Sequence, residues 1–353
     1  MKASRTPLGF SALTTGALAV SIALFLPVAQ ASPTLSEKDQ EILQLLADMV
    51  PDAPEPAADD YVHIPPTMED LEKSSLHPKL KETIERGHDL FMNTQQLRGK
   101  NVFNNMNCVS CHTGEGRLPH SGPVWPAAVT LPDYRPKNDH VNSLEERIAG
   151  CFTYSMNGKP PAYGSDDMLA LAAYHQWLAT GVPLYQPGDT LYGRGYPRLD
   201  EPEQEPDVLR GKKVYKAQCA LCHGDDGGGK VERGEPVFPA LWGDDSYNWG
   251  AGIARVFTLA SFVQHNMPWG KPGSLSIQES WDVAQYINSH ERPQDPRYTG
   301  DAKETRERYL DTFHKHTLYG TEFDGRILGD HDNVGHKDFL KPDVLRPRDF
   351  SKK

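Results

Sequence analysis

Two copies of one short pattern constrain this chain more than any other feature. They are Cys108-Val109-Ser110-Cys111-His112 and Cys219-Ala220-Leu221-Cys222-His223. Two thiols at this spacing can add to the two vinyl groups of one haem, and the histidine that follows can bind the iron. A redox dithiol or a zinc site does not require a histidine directly after both pairs. The motifs predict two covalently bound haem c groups, attached and ligated through Cys108, Cys111, His112, Cys219, Cys222 and His223.

The first 31 residues have the pattern of a secretory signal peptide. Lys2 and Arg5 form a basic start, an almost uncharged stretch follows, and Ala29-Gln30-Ala31 provides the small residues of a cleavage site. We therefore expect export to the periplasm and removal of this segment, which leaves no stable membrane span. The alternative is that the segment is retained as an anchor.

Each half of the remaining chain repeats one order: a helix, the cysteine motif, a loop rich in Gly and Pro, and a closing helix. Gly87 stands four residues before Phe91, as Gly211 does before Tyr215, which predicts a close helix crossing in both halves. We expect a mainly α fold of two tandem cytochrome c-like domains with an N-terminal arm and an extended C-terminal tail. The predicted segments are a signal peptide at 1–31, an arm at 32–78, domain 1 at 79–184, a linker at 185–206, domain 2 at 207–293 and a tail at 294–353.

The C-terminal tail is polar, and one helix is predicted at Ala302–His314. Histidines within a polar tail are usually solvated, so we do not assign a metal site to them. The histidines concerned are His314, His316, His331 and His336.

A six-coordinate haem needs a distal ligand downstream of its motif, usually Met or His. In the second half, Met267 is followed by a proline and stands between the haem loop and the closing helix, which favours it as the donor. His265 is the rival ligand. A Met267 that only fills the core is the third interpretation.

In the first half the corresponding place holds Cys151, the fifth cysteine of the chain. A thiolate is a soft, anionic ligand for iron, and the position of Cys151 favours it for this role. Met156, five residues later, is the conventional alternative. An inert buried thiol and an intermolecular disulfide are the remaining alternatives.

The residues around Cys151 predict more than an electron carrier. Ser143 and Glu146 form a capping box, and Arg147 and Ser155 stand four residues before and after the cysteine, on its face if the helix persists. A guanidinium, a thiolate and a hydroxyl in a row suit an oxyanion that approaches sulfur. The formal net charge of −11 argues against nucleic acid as a partner, so basic contacts with an anion must be local. Alternatively, Arg147 pairs with a haem propionate.

Residues 80–293 resemble the dihaem thiosulfate dehydrogenases that form tetrathionate. The resemblance rests on Leu131–Arg135, Glu146–Phe152, Ser155–Gly158, Asn266–Pro268 and Trp281–Ser289. It implies an active-site haem ligated by His112 and Cys151 and an electron-exit haem ligated by His223 and Met267. It also implies that the cysteine sulfur takes part in the chemistry. Some family members place a lysine beside the distal methionine, whereas this chain has Asn266.

These patterns lead to the hypothesis of an exported thiosulfate dehydrogenase that passes electrons to a soluble cytochrome or another redox acceptor. Local cationic groups would lower the repulsion between two anionic substrates. The residues expected at the substrate are Cys151, Arg147, Ser155, Arg135 and Lys137. The alternatives are a dihaem electron-transfer cytochrome without a substrate of its own and a sulfur-oxidation carrier subunit.

Overall fold

The computed structural model describes residues 40, 44, 54–57, 59–136, 139–310 and 317–331. The predicted signal peptide lies outside the described residues. Several residues singled out from the sequence lie outside them too, namely Lys137, His314, His316 and His336. Within the described ranges, no helix combines the length and the apolar character needed to cross a bilayer.

Helices dominate the described residues, and the strands form short antiparallel hairpins. The α-helices are α1 (Met68–Lys73), α2 (Pro78–Met92), α3 (Trp125–Thr130), α4 (Leu144–Gly150), α5 (Asp166–Leu178), α6 (Val208–Gln218), α7 (Ala220–His223), α8 (Val256–Asn266), α9 (Ile277–Asn288) and α10 (Ala302–Tyr309). The paired strands are β1 (Asp133–Arg135) with β2 (His140–Asn142), β3 (Lys230–Glu232) with β4 (Glu235–Phe238), and β5 (Glu322–Phe323) with β6 (Arg326–Ile327).

Both halves contain the close helix crossing that the glycines predict. Helix α2 packs against α5, and a Cβ atom added at Gly87 would lie 2.0 Å from the Ala170 carbonyl oxygen. Helix α6 packs against α9 in the same way, and a Cβ at Gly211 would lie 1.9 Å from the carbonyl oxygen of Asp282. The predicted crossings are therefore confirmed, because only a residue without a side chain allows the two backbones to approach this closely.

The Gly211→Val variant should be clearly less stable than the wild-type protein. Overpacking of a tight contact costs about 1–3 kcal/mol, and here the added atoms would meet a carbonyl group of α9 that cannot move alone. Urea unfolding, followed by haem absorbance, measures the loss. Ala217→Val is the matched control, since Ala217 is an exposed residue of the same helix. Equal stability of the two variants would contradict the role assigned to the crossing.

The N-terminal arm and the linker contact each other and domain 1. The backbone of Tyr61 forms hydrogen bonds with Thr190 and Tyr192, at 2.7 and 3.2 Å. Leu71 of α1 is fully buried in the core cluster of domain 1. Arg117 donates a hydrogen bond to the Pro65 carbonyl at 2.7 Å. The arm thus packs against the domain that follows it.

Part of the C-terminal tail is built into the core of domain 1. Leu310, Tyr319 and Leu328 belong to the same buried cluster as Trp249, and the rings of Tyr319 and Trp249 stack with centroids 5.6 Å apart. His331, the one tail histidine among the described residues, lies 3.2 Å from the Glu291 carboxylate. The sequence predicts one helix in the tail, at Ala302–His314, and α10 lies within that range. The burial of the tail was not predicted, because its buried residues follow no helical or strand period.

Candidate haem and substrate site

The segment that carries Cys151 begins as predicted and then changes its helical type. Helix α4 starts with a complete capping box between Ser143 and Glu146, which confirms the predicted start. Arg147 and Ser155 were expected on the face of Cys151 only if the α-helix persists to Ser155. Instead, residues Cys151–Ser155 form a π-helical turn, a feature often found at functional sites.

Side chains from distant parts of the chain satisfy the carbonyl groups of the π-helical turn. The Asn104 amide donates to the Ser155 carbonyl at 2.7 Å, and the Asn248 amide donates to the Thr153 carbonyl at 2.8 Å. The backbone N–H of Asn248 donates to the Tyr154 carbonyl at 3.1 Å. Because buried carbonyl groups need partners, these bonds explain how the wider turn is maintained next to Cys151.

The environment of Cys151 favours the thiolate. Burial opposes ionisation, but the Arg147 guanidinium and the His112 imidazole outweigh it and lower the pKa of Cys151 to about 6. Arg147 Nη1 lies 3.1 Å from Cys151 Sγ. By contrast, burial raises the pKa values of the Cys108 and Cys111 thiols to about 12. Of these three cysteines, only Cys151 is placed where its anion is stabilised.

The residues around the first motif fit a haem c group. Nδ1 of His112 donates to the Gly122 carbonyl, which leaves Nε2 as the nitrogen able to bind a metal. Gly122 has φ +66°, and a Cβ atom there would lie 3.1 Å from Nδ1 of His112. The cavity between these groups is lined by Phe91, Cys108, Cys111, Val124, Ile148, Phe152, Met156 and Leu171, among others.

An adjoining cavity of about 390 Å³ is strongly cationic. Its lining includes Cys111 and His112 of the first motif, so the haem would occupy part of it, together with Cys151, Ser155 and four arginines, Arg135, Arg147, Arg194 and Arg255. Burial and the charges of Arg147 and Arg194 lower the pKa of Arg135 to about 10, and burial alone lowers the pKa of Arg255 to about 10. Arg135 thus lies close to two other guanidiniums, and a cluster of positive charges of this kind attracts a small dianion.

Each predicted substrate residue can be placed in this cavity except Lys137, which lies outside the described residues. Strand β1 carries Arg135, whose backbone pairs with His140 of β2. Glu146 also borders the cavity, but its carboxylate accepts a hydrogen bond from the Ser143 backbone at 2.8 Å and lies 3.4 Å from His140. The structure therefore brings together Arg135, Arg147, Cys151 and Ser155.

Two cavity residues, Arg194 and Arg255, were missed by the sequence analysis. Arg194 lies in the predicted linker, and Arg255 precedes α8 in the second half of the chain. The sequence feature that could have indicated Arg194 is the pair of flanking glycines, Gly193 and Gly195. Both have positive φ, so the backbone around Arg194 takes a turn that glycine favours. Nothing in the local sequence of Arg255 indicated its place.

The second motif also fits a haem c group. Nδ1 of His223 donates to the Pro239 carbonyl at 2.9 Å and leaves Nε2 for a metal. Cys219 and Met267 pack against one apolar cluster that contains Tyr215 and Trp242. His265, the rival ligand, is buried as well, with 4% of its surface exposed. Leu221, inside the motif, is 95% exposed, so this attachment segment lies at the protein surface.

Two family models match the two halves of the chain. Residues 87–184 match the family described as SoxA/TsdA, cytochrome c domain. Residues 206–287 match the family described as cytochrome C oxidase, cbb3-type, subunit III. Together with the two attachment motifs, these matches establish two cytochrome c domains, each with one haem c.

Similar proteins cover most of the chain. The thiosulfate dehydrogenase of Thiomonas intermedia is 47% identical over 70% of this chain and 77% of its own length. The thiosulfate dehydrogenase of Stutzerimonas stutzeri is 48% identical over 70% of this chain and 80% of its own length. The solved thiosulfate dehydrogenase TsdBA from Marichromatium purpuratum matches with a TM-score of 0.70 and 41% identity. That match covers 77% of this chain and only 59% of the solved chain.

Proposed function

This chain belongs to the thiosulfate dehydrogenase family, and we propose that it joins two thiosulfate ions into one tetrathionate ion in the periplasm. The single observation that carries the proposal is the Cys151 sulfur, held 3.1 Å from the Arg147 guanidinium at a cavity lined by four arginines. A plain electron carrier needs arginines only for its haem propionates and has no need for a low-pKa thiol beside them. The proposed reaction needs both features.

The cavity can reduce the main barrier to this reaction, which is repulsion between two dianions. The whole chain carries a formal net charge of −11, so the attraction must come from the local guanidiniums. Arg147 would hold a sulfonate group near Cys151, and Arg135, Arg194 and Ser155 would orient the oxygens of the bound ions. The terminal sulfur atoms then face each other and Cys151. The Cys151 thiolate would bond to the terminal sulfur of one thiosulfate as two electrons leave. The terminal sulfur of the second thiosulfate would then displace the thiolate, which forms the sulfur–sulfur bond of tetrathionate and restores Cys151.

The two haem groups supply one-electron acceptors for these electrons. We assign His112 and Cys151 to the iron at the substrate end, because Cys151 lines the cationic cavity. We assign His223 and Met267 to the iron at the exit, because the neighbouring Leu221 is 95% exposed and an external acceptor can reach this segment. A thiolate ligand lowers and a methionine ligand raises the potential of a haem, which favours this direction. The acceptor would be a soluble cytochrome or another redox protein.

The proposal is tested with purified holoprotein, thiosulfate and ferricyanide. We expect thiosulfate-dependent reduction of ferricyanide, with one tetrathionate formed for every two ferricyanide ions reduced, as the electron balance requires. Sulfite in place of thiosulfate is the control substrate, since it lacks the terminal sulfur. Absence of reduction in protein with full haem loading would refute the enzyme activity. Consumption of thiosulfate without tetrathionate, only when a partner protein is added, would instead support a carrier subunit.

A further inference from the structure

Two side chains next to the assigned iron ligands form a hydrogen bond between the two domains. Thr113 directly follows His112, and Asn266 directly precedes Met267. The Thr113 hydroxyl donates to Asn266 Oδ1 at 3.1 Å. Thr113 is 4% exposed and Asn266 is 6% exposed, so water competes little for this bond.

The Asn266 side chain is held in one orientation by a second bond. Its Nδ2 donates to the Phe262 carbonyl at 3.1 Å, which directs Oδ1 towards Thr113. Both residues belong to α8, and Met267 forms the C-terminal cap of that helix with its N–H bonded to the Val263 carbonyl at 2.9 Å. A displacement of Asn266 would therefore be passed to Met267 through one peptide unit.

Tyr196 links the same face of α8 to the first attachment motif at another point. The Tyr196 hydroxyl donates to the Cys111 carbonyl at 2.8 Å. The Tyr196 ring meets the Phe262 ring edge-on, with centroids 5.4 Å apart. Phe262 and Asn266 are one helical turn apart, so the segment Cys111–Thr113 is joined to one face of α8 by two separate contacts.

We propose that the Thr113–Asn266 hydrogen bond positions Met267 for the iron of the second haem by anchoring its helix end to the first attachment motif. This inference rests on the ligand assignment made above. A thioether is a weak, neutral iron ligand, so its bound state depends on how firmly the surrounding loop is held. Loss of the Thr113 donor would leave Asn266 Oδ1 buried without that partner, and the helix end would lose its link to domain 1.

The test is competition between Met267 and added imidazole for the oxidised second haem, without thiosulfate. The charge-transfer absorption band in the red, typical of methionine bound to ferric haem, reports the fraction that remains bound. In Thr113→Val we expect the apparent affinity for imidazole to rise about fivefold, the factor expected for one lost hydrogen bond. Thr113→Ser keeps the hydroxyl and should behave like the wild type. Thr305→Val is the matched control, because Thr305 is a fully buried threonine of α10.

Unchanged imidazole affinity in Thr113→Val would overturn the proposal. So would a wild-type holoprotein that lacks the charge-transfer band, because Met267 would then not be the ligand. If Thr113→Val fails to load haem, Asn266→Ala removes the acceptor without altering the attachment segment, and the same increase is expected. Since no substrate is present, the result is independent of whether the protein turns over thiosulfate.

Discussion

Thiosulfate turnover by the Cys151→Met variant should fall at least about a thousandfold, even though methionine is an ordinary haem ligand. The reason is the Cys151 environment: a thiol with its pKa lowered to about 6, held 3.1 Å from a guanidinium and facing the cationic cavity. A methionine thioether can bind iron there, but it has no negative charge and cannot form a bond to substrate sulfur. The measurement is ferricyanide reduction at saturating thiosulfate.

The control for this variant is Met156→Leu. It removes the alternative sulfur ligand, which lines the cavity beside the first attachment motif. It should keep both its turnover and its haem spectrum. The low-spin thiolate signature in the electron paramagnetic resonance spectrum should disappear in Cys151→Met and persist in Met156→Leu. If Cys151→Met keeps full turnover, the chemical role of the cysteine is wrong. If the wild type lacks the thiolate signature and Met156→Leu alters the haem spectrum, the two sulfur residues have been assigned the wrong way round.

The Arg147→Gln variant should lose about 100-fold to 1000-fold in kcat/KM for thiosulfate, the cost of removing one positioned donor from a charged reaction centre. Arg147 both stabilises the Cys151 thiolate and lines the cavity in which the dianions would meet. Arg147→Lys should lose less, because it keeps the charge but not the planar fork that binds oxyanions at two points. Steady-state kinetics over a range of thiosulfate concentrations measure both variants.

Arg86→Gln is the control for this series, because Arg86 takes part only in an exposed ion pair with Asp167 and a contact with Gln96. Its kcat/KM should match that of the wild type.

The kinetics of the Arg147 variants also distinguish a substrate role of Arg147 from a pairing with a haem propionate. A propionate partner alone would shift the potential of the first haem and leave KM for thiosulfate unchanged, and that combination would refute the substrate role.

The features that sequence reasoning predicted well are those encoded over a few neighbouring residues. Each attachment motif spans five residues, and the capping box at Ser143 and Glu146 spans a single helical turn. The helix crossings at Gly87 and Gly211 could be predicted because a glycine within a helix often allows the backbone of another helix to approach closely. The role of Cys151 as distal ligand stays a prediction, which rests on its position downstream of the first motif.

The features that were missed depend on residues far apart in the chain. The π-helical turn after Cys151 is maintained by Asn104 and Asn248, and neither is close to it in sequence. The condition that the α-helix persists to Ser155 is not met for that reason. Part of the tail was taken for an extension, although Tyr319 stacks on Trp249 in the core of domain 1.

The sequence by itself determined two haem attachment sites and two mainly helical domains and singled out Cys151, because covalent attachment and helix caps depend on local spacing. Only the tertiary structure decided what surrounds that thiol. It brought Arg194 and Arg255 to the Cys151 cavity and joined Thr113 to Asn266. The physical reason is that electrostatic and hydrogen-bonding partners are chosen by distance in space, and folding sets that distance independently of separation along the chain.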